Sequence, residues 1–376
     1  MKRIGTVGLV LCLACGDDGE TPSEDAARPG APDASAPDAG RLDASADART
    51  PDARAPVDAA RAPVDAATPD AGTDAAAPGL RATICGDATD WPNPLPASRT
   101  AQRVSDGFGF VEGPVWVAEL GVLLFSDMNM GGSNALGPPS QIRRLTPPSS
   151  FDVLQPVSGS NGLALFAPTT LLAATHETRS LAFVDARTGL RTPIAITYDN
   201  KRFNSPNDIA IRDDGWVYFS DPDYQRGARA KELDTAIYRV QLSASTSTAS
   251  AQLIEKYTQP NGVALSPDQK TLYVGSSGND IFKYDVAADG SVSNKTPFAK
   301  VGGSDGLAVD CAGNLYVTSG TVEVFAPAGD KLGDINVGVG DNPSNVAFGG
   351  ASAKTLYITA GDSLYAIELK VPGFPY

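Results

Sequence analysis

Six residues with side-chain oxygens occupy matched places along the chain. They are Glu112 in EGPVW, Asn161 in NGLAL, Asn207 in NDIAI, Asn261 in NGVAL, Asp305 in DGLAV and Ser344 in SNVAF. Each stands two residues before a short apolar run, and the steps between them are 49, 46, 54, 44 and 39 residues. Taken singly, Asn-Gly and Asp-Gly are common turn signals, and each anchor would read as a turn or capping residue. The recurrence asks for more. Glu112, Asn207, Asn261 and Asp305 together offer two carboxylates and two amide carbonyls, a hard-oxygen set suited to Ca²⁺ or Mg²⁺ with water completing the shell.

Other chemistries are poorly supplied. His176 is the only histidine, so a three-histidine zinc site is excluded. Cys12 and Cys15 lie in the leader, which leaves only Cys85 and Cys311 and excludes a thiolate-rich zinc site. A Ser-His-Asp triad would have to use His176, and no GxSxG elbow is present. The net charge is −14 and no basic stripe occurs, which argues against nucleic acid as a partner.

The anchors need elements to hold them. A second apolar run follows each anchor: LLFSD, LLAAT, VYFSD, LYVGS, LYVTS and LYITA. Turn chemistry such as SPDQKT and RDDGW separates the two runs. A third run and a weaker fourth follow in most units. Six units of four short strands at this period predict an all-β chain, a six-bladed β-propeller with four antiparallel strands per blade. The sixth unit has three strands before the sequence ends. TAQRVSDG (100–107) precedes the first unit and is expected to supply the missing outer strand, so that an N-terminal strand closes the last blade. Equivalent units place the anchors at one end of the central channel, where their oxygens meet.

The rest of the chain reads differently. Residues 1–15, MKRIGTVGLVLCLAC, have a basic start and an apolar stretch too short to span a bilayer, the pattern of an export signal. The LAC ending resembles a lipobox, in which Cys15 would carry lipid; Cys12 departs from that pattern, and an ordinary secretory signal cut nearby is the alternative. Residues 16–80 are rich in Ala, Pro and Asp and lack Phe, Trp and Tyr, which predicts a disordered tether. Residues 81–99 are an extended lead-in, and 100–376 are the catalytic propeller. The expected location is therefore outside the cytoplasm, on a bacterial envelope, touching membrane only through the lipid anchor. In an oxidising compartment Cys85 and Cys311 either pair or remain two buried thiols.

EGPVW with LLFSD, RFNSPNDIAIRDDGWVYFSDPDY, QPNGVALSPDQKTLYV, SDGLAVDCAGNLYV and NVAFGG with LYIT resemble the gluconolactonase/regucalcin (senescence marker protein) family. The resemblance covers about residues 104–370. It implies a monomeric six-bladed propeller with one divalent metal in its channel, Ca²⁺ first, with Zn²⁺, Mg²⁺ or Mn²⁺ as alternatives. It implies Glu112, Asn207, Asn261 and Asp305 as metal ligands. Asp305 is also implied as general base for hydrolysis of a small sugar lactone, with Glu112 the other candidate catalytic carboxylate. Asp208 is expected to orient the ligands. Arg202 and Asn204, just before SPND, are candidate substrate contacts, with a surface salt bridge as the alternative for Arg202. Asn161 either lines the substrate cavity or shapes its turn. His176 either faces the cavity or is a satisfied structural histidine. Two other functions suit the same residues: an organophosphate or aryl-ester hydrolase, and a non-catalytic calcium-binding surface propeller.

Overall fold

The structure, a computed structural model, describes residues 84–86 and 90–374. The expected export signal, lipidated Cys15 and tether lie outside the described residues.

Among the described residues the strands form six sheets. Blade 1 runs outward through Phe110–Val117, Val122–Met128, Ser140–Thr146 and Ser150–Gln155. Blade 2 comprises Ser160–Ala167, Thr170–Thr175, Ser180–Asp185 and Arg191–Thr197. Blade 3 comprises Ile209–Ile211, Trp216–Asp221, Ala236–Gln241 and Gln252–Lys256. Blade 4 comprises Pro260–Leu265, Thr271–Ser276, Asp280–Val286 and Val292–Lys300. Blade 5 comprises Leu307–Val309, Leu315–Thr318, Val322–Phe325 and Lys331–Ile335. Blade 6 takes Pro343–Gly349, Thr355–Ala360 and Ser363–Glu368 from the end of the chain, and its outer strand is Gln102–Ser105. That strand pairs antiparallel with Ser363–Glu368, so the early segment closes the last blade as its alternation predicts. Each innermost strand touches the next around the ring, and that of blade 6 touches that of blade 1.

The composition of the strands follows from this packing. A blade is covered on both faces, so its second strand cannot alternate apolar with polar. LLFS in blade 1 and LYVG in blade 4 are accordingly buried throughout. The core divides into six clusters, one at each blade–blade interface. Between blades 2 and 3, Phe166, Phe183, Phe203, Phe219 and Tyr238 form the most aromatic of them.

One blade departs from the four-strand expectation. Thr248–Ser250, inserted before the outer strand of blade 3, crosses to blade 2 and runs parallel to Arg191–Thr197. It gives that exposed edge a partner: Ala195 N–H donates to Ser247 O at 2.9 Å and Ala251 N–H to Thr197 O at 2.8 Å. A disulfide joins Cys85 to Cys311, across 226 residues of sequence, and pins the lead-in near the end of blade 5's inner strand.

Candidate functional site at the anchor end of the channel

The anchors lie where the inner strands leave their ladders. Pairing with the second strand shifts register between Glu112 and Val115, Ser160 and Leu163, Pro260 and Val263, and Pro343 and Asn345. In blades 3 and 5 the strand begins only after the anchor, at Ile209 and Leu307. Such bulges turn a side chain out of the sheet plane. Here the freed backbone bonds the neighbouring blade. Gly162 N–H donates to Asn207 O at 2.7 Å, Gly262 N–H to Asp305 O at 2.7 Å and Gly306 N–H to Ser344 O at 2.8 Å. Asp208 stands in for this link in blade 3, accepting from Val263 N–H at 3.0 Å. Ser344 Oγ donates to Val111 O at 2.6 Å and joins blade 6 to blade 1.

The glycine that follows four of the anchors therefore serves contact between blades, rather than a hairpin turn. A Cβ on Gly262 would fall 2.3 Å from Asp305 O, and one on Gly162 2.3 Å from Asn207 O. A belt of buried hydroxyls backs the ring. Ser126 Oγ donates to Asn161 O at 2.6 Å, Ser220 Oγ accepts from Asp208 N–H at 3.1 Å, and Thr318 Oγ1 donates to Ser344 O at 2.9 Å.

Three carboxyl groups crowd this end of the channel. Burial and the negative charge of Asp305 hold the Glu112 carboxyl well above the usual range, against the Gly113 N–H bond that favours its anion. Burial pushes Asp208 up to about 7. Burial also pushes Asp305 up to about 7, against an offsetting hydrogen bond from the Asn261 amide. Among the described residues, no lysine or arginine is one of the main groups that act on these three. Asn261 Oδ1 is buried and, among the described residues, has no hydrogen-bond partner. Buried acids lacking a cationic partner, beside an orphaned amide oxygen, fit a divalent cation. No group of three or more His, Cys, Asp or Glu close enough to hold a metal occurs among the described residues. The donor set at issue has two carboxylates and two amides, and so does not need one.

The remaining candidates fall in several places. Asn161 is fully buried at its anchor, and neither side-chain atom finds a partner among the described residues. His176 is fully buried; its Nε2 bonds Pro138 O at 2.8 Å and its Nδ1 has no partner among the described residues. Burial lowers its pKa to about 4. Asn204 is fully buried and braces the loop before Asn207, its amide donating to Asp221 Oδ2 at 3.0 Å and to Leu233 O at 3.2 Å. Arg202 does not join them. Its side chain is 64% exposed and ion-paired with Glu232 at 3.2 Å, the surface salt bridge that was its alternative. An exposed guanidinium with a carboxylate at hand is drawn outward by solvation.

The motifs pass over three residues here: Tyr224, Gln225 and Asn345. Tyr224, in the connection after the second strand of blade 3, is partly exposed; its hydroxyl donates to Gln259 O at 3.3 Å, and burial with the charge of Asp305 raises its pKa. Its neighbour Gln225 is buried, with Oε1 unpartnered among the described residues. Asn345 sits beside the sixth anchor, and its side chain favours the anions of both Glu112 and Asp208. The signal for Asn345 was an exception: the residue after the anchor is glycine in four units and Asp208 or Asn345 in the other two.

Below the ring, a cavity of about 730 Å³ runs to the opposite face between apolar side chains including Trp116, Leu163, Val263 and Leu307. Only Asp208 and Asn345 bring the ring's polar side chains to its lining.

Comparison with known proteins agrees with the geometry. Residues 110–362 match the family described as SMP-30/Gluconolactonase/LRE-like region. The chain belongs to this family. A gluconolactonase of Zymomonas mobilis is 31% identical over 313 residues, covering 74% of this chain and 84% of its own. The solved structure of a gluconolactonase from Xanthomonas campestris superposes with a TM-score of 0.62 at 30% identity, covering 75% of this chain and 95% of its own. Regucalcin from Agrobacterium tumefaciens, a calcium-binding protein, shares the fold with a TM-score of 0.58 at 18% identity, covering 75% of this chain and 100% of its own. Within the SMP-30/gluconolactonase family, then, this member carries Glu112, Asn207, Asn261 and Asp305 at its anchors.

Proposed function

We propose that the protein hydrolyses a sugar lactone at the anchor end of the channel, with one divalent cation held by Glu112, Asn207, Asn261 and Asp305. The observation that carries the reading is the crowding of Glu112, Asp208 and Asp305 with no cationic side chain, among the described residues, prominent in acting on them. The gluconolactonases at 30–31% identity support the substrate class. All-oxygen donors favour Ca²⁺ over softer metals. A bound divalent cation supplies electrostatic stabilisation of the charge that develops on the lactone carbonyl oxygen.

The chain's own residues do the rest. Asp305 accepts the proton of the attacking water as general base. The Asn261 amide, bonded to Asp305, orients that carboxylate. Water oxygen adds to the carbonyl carbon; the ring C–O bond then breaks, and the departing alkoxide takes up a proton to give the open hydroxy acid. The unpartnered Asn161 amide is suited to a substrate hydroxyl, which both donates and accepts. The same reading places the propeller outside the cytoplasm, on a tether lipidated at Cys15; mass spectrometry of the mature amino terminus tests this.

The deciding experiment is turnover on a panel of aldonolactones, aryl esters and phosphotriesters, before and after exhaustive chelation. Lactone turnover that disappears with chelator and returns with Ca²⁺ is expected. Preference for the phosphotriester or aryl ester overturns the substrate class, and full activity after chelation overturns the metal.

A further inference from the structure

The residues that follow the six anchors are Gly113, Gly162, Asp208, Gly262, Gly306 and Asn345. Sterics explain the glycines. A Cβ at Gly113 or Gly262 would lie 2.3 Å from a carbonyl oxygen of the next blade, and one at Gly306 would lie 2.2 Å from the Asn345 side chain. The ring thus excludes side chains at this level except in blades 3 and 6, which lie opposite one another.

Both exceptions are buried and polar. Asn345 is held firmly: its N–H donates to Thr359 Oγ1 at 3.0 Å, and Thr359 Oγ1 donates back to Asn345 O at 3.1 Å. Its amide has one orientation. Val346 N–H donates to Asn345 Oδ1 at 2.8 Å, so the oxygen is committed to a donor and the NH₂ group is left for the carboxylates. Those carboxylates are Glu112 and Asp208: the Asn345 side chain favours the anion of each, and it lines one cavity together with Asp208.

We infer that Asn345 is a positioning residue: its fixed NH₂ group ties the Glu112 carboxylate to that of Asp208 across the channel and holds Glu112 in the orientation that binds the cation. The inference rests on the reading of Glu112 as a ligand. The physical case is one of preorganisation. The buried carboxylates of blades 1 and 3 repel, and Glu112 has several rotatable bonds. Without a donor between them Glu112 turns away, and the cation must bear the cost of ordering it. Partners of metal ligands typically contribute 10–100-fold to metal affinity.

The test is a double-mutant cycle read as cation affinity, not turnover. Full-length wild type, Asn345→Leu, Glu112→Gln and the double variant are titrated calorimetrically with Ca²⁺, and with Tb³⁺ to keep weak variants in range. Asn345→Ser, a smaller change, runs in parallel should the leucine variant not fold. Asn345→Leu is expected to weaken binding about 10–100-fold in the wild-type background and less than about 3-fold beside Glu112→Gln, because the two act as one unit. Equal losses in both backgrounds make Asn345 merely structural and overturn the inference. So does wild-type affinity in Asn345→Leu when Glu112→Gln has lost it. Unchanged affinity in Glu112→Gln alone overturns the ligand assignment itself, and the inference with it.

Discussion

Replacing Gly262 by alanine tests the contact between blades directly. Its Cβ would sit 2.3 Å from Asp305 O and 2.6 Å from Leu307 Cγ, and its N–H makes the 2.7 Å bond to Asp305 O. Neither a carbonyl oxygen nor a packed leucine branch can yield without moving the inner strand of blade 5. Overpacking of this kind costs about 1–3 kcal/mol, and a buried hydrogen bond lost or stretched adds about 1 kcal/mol. Gly262→Ala is therefore expected to lose about 3 kcal/mol, or roughly 6–12 °C in Tm for a ring of this size. Gly302→Ala is the control, since nothing lies within 4 Å of its Cβ and its backbone is not left-handed. It should stay within about 0.5 kcal/mol of wild type. Denaturant titration in chelator separates the fold from any bound ion. In Ca²⁺ the gap should widen, because Gly262 abuts the backbone of Asp305. Gly262→Ala as stable as Gly302→Ala would refute the argument and return Asn261-Gly262 to the status of an ordinary turn.

Other expectations follow from single features of the structure. His176, the only histidine, is buried with its pKa lowered to about 4, so the unfolded chain binds its proton more readily. Its contribution to stability is full above the unfolded value of about 6.5 and is lost as pH falls through the folded value, by about 3 kcal/mol in all. The stability difference between wild type and His176→Gln should shrink by that amount between pH 7 and pH 4, and a difference independent of pH would refute it. Cys85→Ser with Cys311→Ser frees a loop spanning 226 residues and should cost about 2–5 kcal/mol in denaturant titration, with equal stability refuting a structural role for the bond. Asp305→Asn keeps an oxygen for the cation but cannot take a proton; at saturating Ca²⁺ its turnover should stay about 10²–10⁴-fold below wild type. Recovery to wild-type turnover would leave Asp305 a ligand only.

The ring was legible because a repeat compares the chain with itself. One unit such as NGVAL followed by LYVGS is ambiguous between a hairpin and many other β arrangements. Six in phase fix the blade period, and the one strand that the last unit lacks points to TAQRVSDG as its missing edge. What stayed hidden depends on distances between blades, which a period along the sequence does not carry. The glycine of Asn261-Gly262 carries the same letter whether it relieves a left-handed turn or a 2.3 Å approach to Asp305 O, and only the fold decides. Arg202 and Asn204 are two residues apart and were read together, yet one pairs with Glu232 in solvent and the other is buried against Asp221. Thr248–Ser250 carries no strand signal, because its small and polar residues bury little; it is a strand because blade 2 offers it an open edge. Asn345 shows what can still be recovered. Glycine is the residue the ring demands after an anchor, so a buried side chain there is retained against a steric penalty. Asp208 and Asn345 are the two that are, and both act on the carboxyl of Glu112.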